Sequence, residues 1–241
     1  MAQVINTNIP SLFAGSALNK SNLALQTAMQ RLSSGVRINT AKDDATGMAT
    51  ASGYEKIMRG ANVAIRTAND GISTAQINDG YHQQVYENLQ RMREIAVQLG
   101  GTASGAETSA LIAENARILG LASATGDIVV DTDGGTVTGS GAAAALTTAG
   151  ATAALADIDT DIDAVVAARA TYGGDMATFQ SAINNLQVQS VNTAAAYSRV
   201  MDTDYATETT AMTKNLILQQ AGTAMLAQAN QVPNNVLSLL R

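Results

Sequence analysis

Four stretches of this sequence bring together side chains that could do chemistry. DGYHQQVYEN contains the chain's one histidine, His82. AKDDATG (41–47) sets Lys42, Asp43 and Asp44 just ahead of Gly47, and DTDYATE (202–208) repeats the acidic pattern. GDIVVDTDGG (126–135) holds Asp127, Asp131 and Asp133. An imidazole can ligate zinc, paired carboxylates can move protons or hold a hard cation, and an acidic loop can bind calcium. In each stretch the completing residues are missing. A zinc site takes three or four protein ligands, and there is neither a second histidine nor any cysteine. Adjacent carboxylates at a helix start point apart, and both acidic stretches read better as N-terminal caps at the positive end of the helix dipole. The calcium-like spacing lacks the later glutamate and the loop register. No Ser/His/Asp or Cys/His set, phosphate loop or paired-carboxylate cleft appears. The expectation is no catalytic residue, no cofactor and no metal.

LQRMREIAVQ (89–98) places Arg91, Arg93 and Glu94 beside apolar Leu89, Met92 and Ala96. On its own this is a solvated charged face of an amphipathic helix. Composition says what such helices can build. The 241 residues are 46% hydrophobic, much of it alanine, yet 3% aromatic, with no tryptophan, two Phe and two Pro. Thin, close-packed helical layers follow from that mixture, since large side chains are what fill a wide core. A net charge of −6 argues against nucleic acid as a partner. Without cysteine there are no disulfides. MAQVINTNIP has neither a basic start nor a long apolar run, so no cleaved secretory signal is expected, and no stretch is apolar enough to insert in a membrane.

The elements that must position these residues are long helices. Val4, Leu18, Leu25 and Leu32 share one heptad phase in residues 1–35. Residues 45–99 show a first register (Met58, Ala61, Ile65, Ala68, Ile72, Ala75) and then a second (Val85, Leu89, Met92, Ala96, Leu99); residues 106–120 form a shorter helix. The middle, 121–154, breaks the pattern, with apolar alternation around Asp133–Gly134 predicting a β-hairpin. From residue 155 to 197, Ile158, Ile162, Val165, Arg169, Tyr172, Met176, Phe179, Ile183 and Leu186 step by three and four, a coiled-coil seam whose helix continues through Gly173–Gly174. Arg169 is expected to lie along this seam with its head in water. A last stripe, Leu218, Met225, Val232 and Leu239, sits in a stretch with no charge from Ile217 to Leu240. The fold class is mainly α: long antiparallel coiled-coil helices from both chain ends and a small central hairpin. The end stripes can cover one face of each other. Their other faces stay nearly uncharged, and such surface seeks a partner.

MAQVINTN, QRLSSGVRINTAKDDATGMA (30–49), ANDGIS (68–73), LQRMREIAVQ, SRVMDTDYATET (198–209) and ILQQAGTAMLAQANQVPNNVLSLLR (217–241) together resemble bacterial flagellin, over about residues 1–120 and 155–241 and in the family's order. The resemblance implies a structural subunit that polymerises into the hollow filament for swimming motility. It implies nested layers: 1–44 as the inner-core (D0) helix and spoke, 45–120 and 155–197 as the next shell (D1), and 198–241 as the returning spoke and inner-core helix. Well-known flagellins hold surface domains between these arms, whereas only 121–154 fills the gap, and the usual Phe-Asn-Gly segment is replaced by LASATGDIVV. A short form without outer domains is therefore expected.

Residue by residue, the resemblance places Leu18, Leu25, Leu32, Leu218, Gly222, Met225, Ala229, Val232, Val236 and Leu239 in the inner-core polymerisation stripe. It places Gln90, Arg91, Glu94 and Ile95, with Glu114 from the next helix, on a face that contacts neighbouring protofilaments and that in many flagellins the Toll-like receptor for flagellin binds. Implied partners are neighbouring subunits, an export chaperone on the C-terminal helix, and hook-associated and cap proteins. Secretion through the flagellar export apparatus without a cleaved signal, to the extracellular flagellum, goes with them. A hook–filament junction protein shares the terminal helices, and a secreted coiled-coil adhesin or effector is a reading from another class. The ending QQAGTAMLAQANQ favours the filament subunit, and the short middle leaves no room for a folded adhesin domain.

Overall fold

The computed structural model describes residues 7–122, 126–139, 144–148 and 152–238, with side chains as far as Gln231 toward the C-terminal end. Val4 and Leu239 lie outside the described residues, as do the side chains of Val232 and Val236. Among the described residues five helices and four short strands follow in chain order: α1 (Ile9–Ser34), α2 (Ala45–Gln98), β1 (Thr102–Ser104), α3 (Ala106–Leu119), β2 (Asp127–Val129), β3 (Thr136–Thr138), β4 (Thr152–Ala154), α4 (Leu155–Met201) and α5 (Tyr205–Ser238). The chain is mainly helical, and it divides into one unit of residues 1–53 and 195–241 and a second of 54–194.

In the first unit α1 and α5 run antiparallel. Asn8 caps α1 by accepting from the Ser11 N–H, and Pro10 occupies the first turn, where a missing N–H costs nothing. Asn8 also reaches Ala229, Ser21 bonds the Asn215 carbonyl at 3.1 Å, and Arg31 pairs with Glu208 at 3.8 Å. The two helices come close enough for Cα atoms to approach within 8 Å. Small residues allow this: a Cβ added at Gly222 would stand 3.2 Å from Leu18 Cδ1. Gly35 ends α1 with φ +73°, its N–H returning to the Arg31 carbonyl. The segments linking the helices then pair, with Val36 bridged antiparallel to Asp202 and Arg37 N–H donating to the Met201 carbonyl at 2.6 Å.

The second unit is built on a seam between α2 and α4. On α2 the buried line is Ala61, Ala64, Ala68, Gly71, Ala75, Asn78, His82, Val85, Leu89, Met92 and Ala96. These steps of three and four never slip, so α2 has one register throughout and not two; Leu99, assigned to the second, is 55% exposed. Side-chain sizes alternate across the seam. Alanines 61, 64 and 68 meet Leu186, Phe179 and Ile183 of α4, while Val85, Leu89 and Met92 join Ile158 and Val165. Ile162 and Met176 are only partly buried, and at the 161–162 layer it is Asp161 that is enclosed. Arg169 does not simply trail into water: its Nε donates to Asp79 at 2.8 Å.

β2 and β3 form the expected hairpin, Ile128 opposite Val137, with Gly134 at φ +88° in the turn. The hairpin lies on α2 along Gly60, Ala64, Thr67 and Gly71, residues that share one helix face. Thr67 Oγ1 donates to the Val129 carbonyl at 2.8 Å, and an added Cβ at Gly60 would stand 2.7 Å from the Thr132 carbonyl oxygen. A second pair, β1 with β4, matches Ala103 to Ala153, both buried, and closes the lower core beneath α3.

Candidate functional site

Helix α4 runs unbroken through Gly173 and Gly174, and helices α2 and α5 are started by acidic caps. Asp44 Oδ1 accepts from Thr46 N–H and Gly47 N–H at 3.1 and 2.9 Å; Asp204 accepts from Ala206 N–H at 2.9 Å and from Thr207. The Gly47 N–H and then the Thr46 hydroxyl hold the Asp44 carboxyl below its ordinary value, and the Thr207 hydroxyl and then the Ala206 N–H do the same for Asp204. Asp43 folds back on Asn39 and Thr40. In the hairpin, Asp131 accepts from Thr132 N–H and Asp133 pairs with Lys56 at 3.2 Å. Asp43, Asp44, Asp131 and Asp204 are bound up in their own turns, and Asp133 is held by Lys56 of α2. Among the described residues no group of three or more His, Asp or Glu comes together as a metal site.

His82 is fully buried, with Nδ1 2.8 Å from the Asn78 carbonyl and Nε2 3.1 Å from the Ala144 N–H. A carbonyl requires an N–H and an N–H requires a lone pair, so the ring is the neutral Nδ1–H tautomer. Its edge meets the Tyr172 ring at a centroid distance of 5.2 Å. Asp161 holds the next part of the same connection, accepting from the N–H and hydroxyl of both Thr147 and Thr148 at 2.5–3.0 Å. His82, which looks like chemistry in the sequence, and Asp161 are thus fasteners for residues 144–148.

The face predicted from LQRMREIAVQ splits. Arg91 and Glu94 are exposed and bonded to each other at 3.1 Å, Arg91 also holds Glu107 of α3 at 2.9 Å, and Gln90 is partly exposed. Ile95 is 9% exposed and packs in the core beside Ala96, because residue 95 falls at the edge of the seam line. Glu114 is not joined to Arg91: it binds Arg117 at 2.6 Å, and the guanidinium holds its carboxyl below the usual range.

An apolar groove of about 460 Å³ lies between α1 and α5, lined by Pro10, Phe13, Ala14, Ala17, Leu18, Ser21, Leu218, Ala221, Gly222, Met225 and Ala229. Among the described residues its lining has no charged side chain, and its rim is open: Phe13 is 78% exposed, Met225 64% and Leu218 47%. Leu25 and Ala229 are buried against the paired helix, and Leu32 is partly buried. The stripe residues therefore divide between those that hold the pair together and those that the pair leaves bare.

The profile of the bacterial flagellin N-terminal helical region matches residues 5–137, and that of the C-terminal helical region matches residues 155–240. The chain is 34% identical to the flagellar filament 31.3 kDa core protein of Treponema maltophilum and 34% identical to the 33 kDa core protein of Treponema phagedenis; each alignment covers 99% of this chain and 100% of the relative. It is likewise 34% identical to flagellin of Bacillus subtilis, over 98% of this chain and 99% of that one.

Proposed function

Since the chain belongs to the bacterial flagellin family and is a structural subunit of the flagellar filament, we propose that the bare groove between α1 and α5 is the surface it buries in neighbouring subunits. The observation behind this is the pairing of exposure with absence of charge: Phe13, Met225 and Leu218 stand largely or partly in water on helices already paired with each other. Burying such faces supplies the free energy of polymerisation. Leu18, Leu25, Leu32, Leu218, Gly222, Met225 and Ala229, with Val232, Val236 and Leu239, form the inner-core stripe, and the α2–α4 seam (Ile158, Ile162, Val165, Tyr172, Met176, Phe179, Ile183, Leu186) is the rigid shell outside it.

Family membership supports further partners as part of this proposal. An export chaperone covers the C-terminal helix before secretion through the flagellar apparatus without a cleaved signal, and hook-associated and cap proteins meet the subunit at the filament's ends. Gln90, Arg91 and Glu94, with Glu114 nearby and Ile95 packed beneath, contact the adjacent protofilament and offer a face to the Toll-like receptor for flagellin. No catalytic role is proposed.

Met225→Asp tests the reading. An unpartnered carboxylate buried at every subunit costs several kcal/mol, whereas on the open rim of a free subunit it costs little. The variant should keep its helical circular dichroism and fail to form filaments in seeded sedimentation and negative-stain microscopy. Filaments of normal length and stability would overturn the reading.

A further inference from the structure

The chain has nine methionines and no cysteine, so thioethers are its only sulfur. Among the described methionines Met225 is the most exposed, ahead of Met29 and Met48, and Met225 alone lines the groove. We propose that Met225 is an oxidation site that gates assembly: free in solution its sulfur is open to hydroperoxides, and the sulfoxide formed there blocks burial of the groove.

The chemistry balances without any cofactor. A sulfur lone pair attacks the outer oxygen of a hydroperoxide, the O–O bond breaks, and the departing alkoxide or hydroxide takes the proton and leaves as alcohol or water. Sulfur is oxidised by two electrons and the peroxide is reduced by two. The other residues around the rim, Phe13, Leu18 and Leu218, have no lone pair to offer.

The described lining of the groove offers the product no free side-chain donor. A sulfoxide oxygen is a strong acceptor and needs a donor once water is excluded. Among the described lining residues Ser21 has the only side-chain hydroxyl or N–H, and that hydroxyl already donates to the Asn215 carbonyl. Ala221, Gly222 and Ala229 around Met225 bring no side-chain donor. Oxidation thus puts an unpaired acceptor on the surface that assembly must dry, while an assembled subunit hides the same sulfur from the oxidant.

This inference rests on the reading that the groove is buried between subunits, and the experiment keeps the two apart. Free subunits and preformed filaments are treated with hydrogen peroxide, sulfoxides are located by peptide mass spectrometry, and assembly is followed by seeded sedimentation. In free subunits Met225 should be oxidised and the critical concentration should rise at least about ten-fold. Reduction by methionine sulfoxide reductases should restore it, and peroxide should change the critical concentration of Met225→Leu by less than about two-fold from that variant's own untreated value. In filaments Met225 should stay reduced. Normal assembly of subunits with Met225 fully oxidised, or equal peroxide sensitivity in Met225→Leu, overturns the inference. If Met225→Asp is nevertheless blocked, the groove reading stands alone; if both the Asp variant and the sulfoxide assemble, both fall.

Discussion

The side-chain amide of Asn8 donates to the carbonyl of Ala229 at 2.8 Å, and that carbonyl is the one whose helical donor is missing. Four residues on, position 233 is proline, which has no N–H to return. One side chain so serves both chain ends, because the Asn8 carbonyl oxygen caps α1 while its NH₂ satisfies α5.

Asn8→Asp separates the two tasks. Aspartate caps as well as asparagine but has nothing to donate, so the Ala229 carbonyl is orphaned and faces a negative charge. We expect a loss of about 1–3 kcal/mol in the α1–α5 pair, read as faster amide exchange across residues 12–34 in urea. Pro233→Ala returns the helical N–H and should reduce that loss in the double variant, a coupling a mutant cycle measures directly. Equal losses in both backgrounds would mean the bond is incidental.

The hairpin's seat on α2 gives a second test with its own control. At Gly60 an added methyl meets the Thr132 backbone oxygen at 2.7 Å, while at Gly80 on the same helix it meets nothing within 4 Å. Alanine gains about 1 kcal/mol over glycine in a helix, and the clash costs about 1–3 kcal/mol. Gly80→Ala should therefore raise the urea midpoint and Gly60→Ala should lower it. The same sign for both would show that the hairpin does not rest on this face.

These contrasts mark how far the sequence could be read. Long helices, the Asp133–Gly134 hairpin and the acidic caps were legible because large apolar residues at fixed steps, a turn dipeptide and a carboxylate before a helix are local signals. The single register of α2 was not, since Gly71, Asn78 and His82 occupy the seam and none of them counts as apolar. Their burial depends on what α4 and residue 144 present. For the same reason Asp161 was overlooked beside Ile162: only the Thr147 and Thr148 donors, brought up by the fold, make a carboxylate the better inward residue. The β1–β4 pair is three residues of mostly alanine and threonine on each side, too short and too bland to announce itself.

Acid should weaken the caps, with a definite sign. Asp44 and Asp204 have carboxyls held below the ordinary 3.8 by hydrogen bonds that only the charged form accepts fully. A depressed folded value means that their stabilisation is complete above the unfolded value and is lost as pH falls through the folded one. The loss belongs to the window from pH 3.8 downward. Asp44→Asn with Asp204→Asn keeps a capping oxygen that does not titrate. Helical circular dichroism followed from about pH 6 to about pH 2 should fall later in this double variant than in the parent. Superimposable acid transitions would exclude the caps as the sensitive groups.

The last test concerns which α4 residues hold the second unit together. Phe179 is fully buried between Ala68 and Gly71 of α2 and the hairpin's Ile128, whereas Ile162, of equal standing in the sequence pattern, is only partly enclosed next to the buried Asp161. Removing the Phe179 ring leaves a cavity lined by small residues on a helix that cannot move inward without displacing the hairpin. Phe179→Ala should cost about 3–5 kcal/mol. Ile162→Ala exposes a site that water already reaches in part, so it should cost less, about 1–2 kcal/mol. Urea unfolding of the free subunit, followed by circular dichroism, ranks the two. Equal losses would mean the seam runs through residue 162 as the bare heptad count implies, and Asp161 would no longer be its inward member.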